Sequence, residues 1–335
     1  MRIWAYFVLT PMIPLTRRSN AVHESGAPGR RPTLLDVEVT VVVLSAGRSP
    51  YLRRVLDGAA RCVTAPDRLL VVWSGRAVCP RNVLPPGVRL LCVPPTSFDH
   101  GGTRQVAVEH SDSAIVAFLS DDAEPVDTGW LHALLAPFGD PSVGVVYGRH
   151  VPKPEAPLAE RVFRLTRYPT HSLELSPGGD GAPVTFPMSD ANAAYRVSAL
   201  ASVGGFPQPC AFAEDYLVTQ RLLRAGWRVV YASAAAVWHS HDVGWRNVSA
   251  RAAKVSAASS RSVGLRGRDW LRTARHGVVF LLRMLPIAWR EGRLRGLLSV
   301  GWVMSARVFG FLFGRTATTH RLSACAGSMF RNQVP

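Results

Sequence analysis

The sequence predicts an α/β fold: an open, mostly parallel sheet followed by a basic helical C-terminal extension. Three observations carry this. Short β-branched runs alternate with stretches of helical spacing, each run ends in a polar or glycine-bearing turn, and the composition changes abruptly after residue 245. Alternating strand and helix patterns are what a parallel sheet with crossover helices requires. A chain of 335 residues, 47% apolar and 19% charged, can bury such a sheet and carry an accessory region besides.

The first element is Val37–Leu44, a nearly unbroken β-branched run that ends in Ser45-Ala46-Gly47, as a buried strand opening into a loop would. Pro50–Arg61 places Leu52, Val55, Leu56 and Ala59 on one helical face. Arg68–Trp73, closed by Ser74-Gly75, and Val88–Val93 are further strands; Gly101–His110 suits a helix. Ala114–Leu119 is a fourth strand and runs into Ser120-Asp121-Asp122. Beyond it, Val143–Tyr147 suits a strand, Ala191–Ala201 and Tyr216–Ala225 suit helices, and Val229–Tyr231 and Ala235–Trp238 suit two short strands. The second of these runs into His239-Ser240-His241. Ligands of open α/β sheets bind outside the carboxyl ends of the strands, where these polar clusters fall.

Charge divides the chain. Residues 246–335 hold 16 Lys and Arg against two acids, Asp269 and Glu291, whereas residues 1–245 hold 23 basic and 21 acidic residues. A near-neutral body joined to a strongly basic extension calls for a polyanionic partner, either nucleic acid or an anionic membrane surface. No helix-turn-helix, zinc or RNA-recognition signature is present, so nucleic acid is not expected. Arg268, Arg272, Arg275, Arg283 and Arg290 share one helical side with apolar residues opposite, which suits a helix lying in a membrane interface or one packed on the main domain. Pro286 is expected to kink or break it. No run reaches the ~18 uncharged apolar residues of a spanning helix. The five scattered cysteines form no C-x-x-C pair, which fits a reducing compartment. We therefore expect a poorly ordered leader (1–36), a main domain (37–245) and a basic amphipathic helical extension (246–335). The expected setting is cytoplasmic, peripheral at the inner face of the cell membrane.

Four constellations could carry chemistry. Adjacent carboxylates at Asp121-Asp122 repel unless a cation joins them, and Mg²⁺ or Mn²⁺ takes such oxygen ligands; a solvated turn is the plainer reading. His239 and His241 are metal ligands or ordinary surface residues. Glu214-Asp215 either caps a helix through its dipole or supplies a general base, with Gly205 just upstream allowing close backbone approach to a ligand. Phe98–Arg104 enters a helix whose amides, with Arg104, could face a diphosphate, or is a capped start with a surface arginine.

The stretches FDHGGTRQVAVE (98–109), VAFLSDDAEP (116–125), WLHALLAPFGDPSVGVVYGRH (130–150), SDANAAYR (189–196), GGFP (204–207), AEDYLVTQRLLRAGWRVVY (213–231) and AAVWHSH (235–241), in this order, resemble the inverting family-2 glycosyltransferases. Within these the resemblance is closest to the bacterial rhamnosyltransferase branch. It spans about Val39 to Asp242. It implies a GT-A-type, Rossmann-like nucleotide-sugar domain that needs a nucleotide-sugar donor and Mg²⁺ or Mn²⁺. It also implies Asp122 and His239 as metal ligands, Asp121 beside them and Asp215 as general base, with His241 a further candidate. Ser45, Gly75, Arg104, Asp121 and Gly205 are the expected donor-site residues. The family's D-x-D element is degenerate here, with Ser120 in its first position. Trp73 stands where an acid usually contacts the nucleoside, and it could stack on a base or merely pack. The implied reaction moves a sugar, L-rhamnose from dTDP-rhamnose, to a hydroxyl of a glycan, lipid-linked or natural-product acceptor. The alternatives are a UDP-galactofuranose or other UDP-hexose transferase, and an inactive nucleotide-sugar-binding homologue.

Overall fold

The computed structural model describes residues 37–47, 49–76, 84–94, 98–178, 186–210, 213–241, 244, 246–250, 252–253, 279–307 and 309. The expected leader, Cys79, Cys325 and Arg268, Arg272 and Arg275 lie outside them. Nine strands form one mixed sheet: β1 (Val39–Ser45), β2 (Arg68–Trp73), β3 (Arg89–Cys92), β4 (Ile115–Ser120), β5 (Glu124–Pro125), β6 (Val143–Val151), β7 (Leu173–Leu175), β8 (Asn192–Arg196) and β9 (Arg228–Trp238). Their order is β3-β2-β1-β4-β8-β6-β9-β5, with β7 also on β9. Strands β3, β2, β1 and β4 pair in parallel, as do β6 and β9, and β8 runs antiparallel between β4 and β6. The helices are α1 (Leu52–Ala60), α2 (His100–Glu109), α3 (Trp130–Leu135), α4 (Leu158–Arg167), α5 (Val197–Ser202) and α6 (Glu214–Arg224).

Strand alternation sorts the core between the two faces of the sheet. Val41 and Val43 of β1 pack with Leu52, Val55 and Leu56 of α1 and Trp130 and Leu131 of α3. Val42 faces the other way, with Ala107 of α2, Leu200 of α5 and Val218 and Leu222 of α6. Burial on both faces is why these strands are continuous apolar runs.

Two expectations are corrected here. Ala191–Ala201 is not one helix: Asn192–Arg196 is the strand β8, and the helix begins only at Val197. Alanine favours helices, but Ala193 and Ala194 are fully buried between two strands that supply their backbone partners, and tertiary pairing overrides that preference. The two short strands expected over 229–238 are one strand, β9. Its register on β6 jumps from Gly148↔Ala232 to Arg149↔Ala236, leaving residues 233–235 as a bulge.

The described residues divide into two compact units. The larger one, ending at Lys153 and resuming over Arg167–Ser240, contains the whole sheet. The smaller one takes Pro154–Thr166, which includes nearly all of α4, and the described residues from His241 onward. Its core packs Val162 of α4 with Phe280, Met284, Ala288 and Val300. Helical residues 279–307 continue through Pro286, where a break is expected; the backbone instead turns at Arg293, whose φ is +48°. Beyond that turn Gly296 lies against the backbone of Ala288, so the two arms fold back on each other where only glycine fits. Arg161 of α4 pairs with Glu291 at 2.7 Å, and Arg307 lies 3.9 Å over the ring of Phe163. Among the described residues no helix is long and apolar enough to cross a membrane.

Candidate active site

The sheet topology brings separate segments to one edge. Strands β1, β2, β4, β6 and β9 all point the same way, so their carboxyl ends present Ser45, Gly75, Asp121-Asp122, His150 and His239 along that edge. The antiparallel β8 begins there, which adds Asp190 just before it.

At the ends of β4, β6 and β9 lies a carboxylate–imidazole cluster. Asp122 Oδ1 is 3.3 Å from His239 Nε2. His239 Nδ1 lies 2.9 Å from Nδ1 of His150, so one imidazole N–H donates to the other ring. His150 is fully buried and stacks on Tyr168, centroid to centroid 4.3 Å. The β9 bulge sets this geometry, because it pairs His150 with Val237 and brings the His239 N–H to the Val151 carbonyl at 2.9 Å. Asn192 holds the bulge: its amide donates to the carbonyls of Ala235 (2.8 Å) and Arg149 (3.3 Å) and accepts from Trp130 Nε1 (2.9 Å). Asp121 points inward, where Ser45 Oγ donates to its carboxylate at 2.6 Å and Ser49 Oγ to its carbonyl at 2.8 Å. Burial, with the repulsion of Asp122, pushes the Asp121 carboxyl up to about 6, against the bond from Ser45.

A second cluster surrounds Arg104. The guanidinium expected at a diphosphate lies among acids in the structure. Arg104 is buried, 3.1 Å from Asp190 Oδ2 and 2.8 Å from Glu214 Oε1. The Tyr195 hydroxyl donates to Asp190 at 2.5 Å and shares a 2.8 Å bond with Tyr147, which reaches Thr219 at 2.8 Å. Asp215, half-buried in the first turn of α6, is pushed well above the ordinary carboxylate range by burial and then by the charges of Glu214 and Asp190. Ala213 before it adopts a left-handed φ of +66°, unusual without glycine and a mark of strain of the kind that gathers at functional sites. The entry to α2 is a capped start: Asp99 accepts from Gly102 N at 2.7 Å and from Cys210 N at 2.6 Å. Gly101 is needed because the Pro207 carbonyl packs against it.

Two of the expected donor-site glycines, Gly205 and Gly75, have close protein neighbours. Gly205 (φ +73°) lies against Gln105, whose Oε1 accepts from Phe206 N at 3.0 Å. Gly75 and Gly47 flank the indole of Trp73, which leaves no room for a Cβ on either. With Trp73 only 6% exposed, it packs between the ends of β1 and β2 and has no free face to offer a base. Sequence reasoning assigns no role to His150, Asp190 or Asn192, although all three lie in stretches that carry the family resemblance, His150 at the end of residues 130–150 and Asp190 and Asn192 within SDANAAYR.

The sheet, with polar side chains gathered at the carboxyl-end edge, is of GT-A type. In fold it resembles a mannosyltransferase from Pyrobaculum calidifontis solved with GDP-Man and Mn²⁺ (TM-score 0.50, 17% identity, 89% of this chain and 88% of that one). It also resembles glucosyl-3-phosphoglycerate synthase from Mycobacterium tuberculosis solved with Mn²⁺, UDP and phosphoglyceric acid (TM-score 0.51, 17% identity, 73% and 86%). Residues 37–254 match the model of the glycosyltransferase-like family 2, and the chain belongs to that family. Within it the chain lies near the rhamnosyltransferases. It is 28% identical over 302 residues to the O-antigen chain rhamnosyltransferase RfbN of Salmonella typhimurium (86% of this chain, 93% of the relative). It is 30% identical over 272 residues to WbaN of Salmonella anatum (78% and 83%).

Proposed function

We propose that the protein transfers L-rhamnose from dTDP-rhamnose to a hydroxyl of a glycan or lipid-linked acceptor, with inversion at the anomeric carbon. Similarity to two O-antigen rhamnosyltransferases over most of the chain supports the sugar. The convergence of Asp122 and His239 at the strand ends is the observation that carries the chemistry.

The donor set fits a divalent cation. A carboxylate oxygen and an imidazole nitrogen face each other within bonding reach of one ion, and Mn²⁺ accepts both donor types. His150 supplies the outer contact that metal-bound histidines usually have. Asp122 and His239 would hold Mg²⁺ or Mn²⁺, with Asp121 beside them. When bound, the ion offsets the charge that builds on the departing nucleoside diphosphate.

The protein's own groups do the rest. Ser45 turns Asp121 inward, leaving Asp122 on the exposed side of the pair. Asp215 takes the acceptor proton as that oxygen attacks the anomeric carbon; its raised affinity for a proton brings it toward the working pH, where a general base is most effective. Arg104 holds Glu214 in place next to it. We place this reaction in the cytoplasm at the inner face of the cell membrane, on the strength of the basic charge of residues 246–335.

Calorimetric titration with dTDP-rhamnose and with UDP-hexoses, each with Mn²⁺, with Mg²⁺ and with chelator, tests the reading. Metal-dependent binding of dTDP-rhamnose that is lost in Asp122→Ala is the expected result. A preference for a UDP-sugar would replace rhamnose by that hexose. No binding under any condition would favour an inactive homologue, whose nucleoside pocket Trp73 has closed.

A further inference from the structure

Ten large hydrophobic side chains are exposed among the described residues, and eight of them lie between Leu281 and Phe309. This stretch already buries an apolar side, with Phe280, Met284, Ala288 and Val300 inside the small core with α4. It then repeats the pattern outward. Leu282, Leu285 and Trp289 recur at helical spacing on the first arm, as do Leu294, Leu298 and Trp302 on the second. A surface helix normally turns charge outward, and exposed apolar patches of this extent mark interaction sites. Arg283, Arg290, Arg293 and Arg295 are exposed in the same stretch, and its one acid, Glu291, is paired with Arg161.

We propose that the outward stripes of helical residues 279–307 are the seat by which the protein inserts into an anionic lipid surface. Leucine and tryptophan enter the boundary of the acyl chains, tryptophan stays at headgroup depth, and the arginines meet lipid phosphates. Charge complementarity selects this occupant. A second copy docked across a two-fold axis would lay the same patch on itself and set these four arginines against their duplicates. Nucleic acid would use the arginines but leave the leucine and tryptophan stripes in water. The inference deepens the proposed location of the reaction and rests on that reading; it does not depend on the donor or the metal.

Flotation of the full chain with phosphatidylcholine vesicles, and with vesicles of phosphatidylcholine and phosphatidylglycerol mixed, tests it. The wild type is expected to float with the mixed vesicles and not with phosphatidylcholine alone. Leu298→Glu/Trp302→Glu is expected to lower the floated fraction roughly tenfold or more. Both side chains are more than half exposed, so melting temperature and circular dichroism should stay at wild-type values. Arg290→Glu/Arg295→Glu should weaken binding and its dependence on salt without touching the stripes. If the wild type floats and the Leu298/Trp302 variant floats equally, the seat is elsewhere and this inference fails while the membrane location stands. A wild type that floats with neither vesicle overturns both. Sedimentation showing a lipid-free dimer that the same variant dissociates would assign the stripes to a second copy instead.

Discussion

Two acidic clusters stand at the same edge of the sheet, and the protein neutralises them by different means. Around Asp190, Glu214 and Asp215 it supplies its own cation, the buried Arg104, in direct contact with two of the three acids. Around Asp121 and Asp122 the strand-end partners that converge on the acids are a serine and an imidazole. The first cluster therefore carries its own counter-charge within the fold. The second leaves a repulsion that a divalent ion from solution can relieve. Equal numbers of charges would not tell these apart; the difference lies in whether a cation stands among them.

The sharpest way to break the contrast is to remove the built-in cation. Arg104→Met leaves buried acids without their partner and should destabilise the protein by about 3–5 kcal/mol at pH 7 in urea unfolding. The loss should shrink at pH 5, where the acids take up protons. Asp122→Asn removes the repulsion from Asp121 together with the charge facing His239, and should change metal-free stability far less than Arg104→Met does.

Next in size is the effect of the ion. Mn²⁺ at about a hundred times its dissociation constant should stabilise the wild type by ~2.7 kcal/mol, read as a rise in melting temperature. His239→Ala should abolish the rise. Arg104→Met should keep it, since its cluster is the other one.

A smaller effect concerns pH. In the folded protein Asp121 holds its proton up to about pH 6, while the unfolded chain releases it near 3.8. The native state thus binds more protons between those values, so metal-free stability should fall as pH rises through that window and level off above it. Asp121→Asn should flatten the decline in melting curves taken with chelator.

The smallest expected effect is kinetic. Glu214 and Asp190 raise the proton affinity of Asp215, so Glu214→Gln should move the acidic limb of the kcat/KM profile to lower pH. An unmoved limb would remove Asp215 from the role of base.

The contrast also explains what the sequence can and cannot reveal. Strands β1, β2 and β4 are legible because both their faces are largely buried, which forces their apolar runs. Asp121, Asp122 and His239 are legible as strand-end clusters. The destination of Arg104 is not: a guanidinium suits a phosphate or a carboxylate equally, and only the position of Asp190 at the start of β8 decides between them. That strand is itself hidden, because its alanines carry a helical preference that only the neighbouring strands overrule. Trp73 fills the space between two glycines, a relation across separate strand ends that no local pattern announces.

The bulge over residues 233–235 gives the site a phase. A strand alternates sides with every residue, so the length of this excursion decides whether the residues beyond it arrive on the correct face. Shortening it by one residue would keep the composition and most of the sheet, yet turn His239 away from Asp122 and break its contact with His150. Shortening it by two would restore the facing while moving the imidazole along the strand by one repeat. The pairing of Asp122 with His239 is thus specified by a count of residues in a stretch that supplies neither side chain. Insertions and deletions there should abolish and restore metal binding with an alternating rhythm.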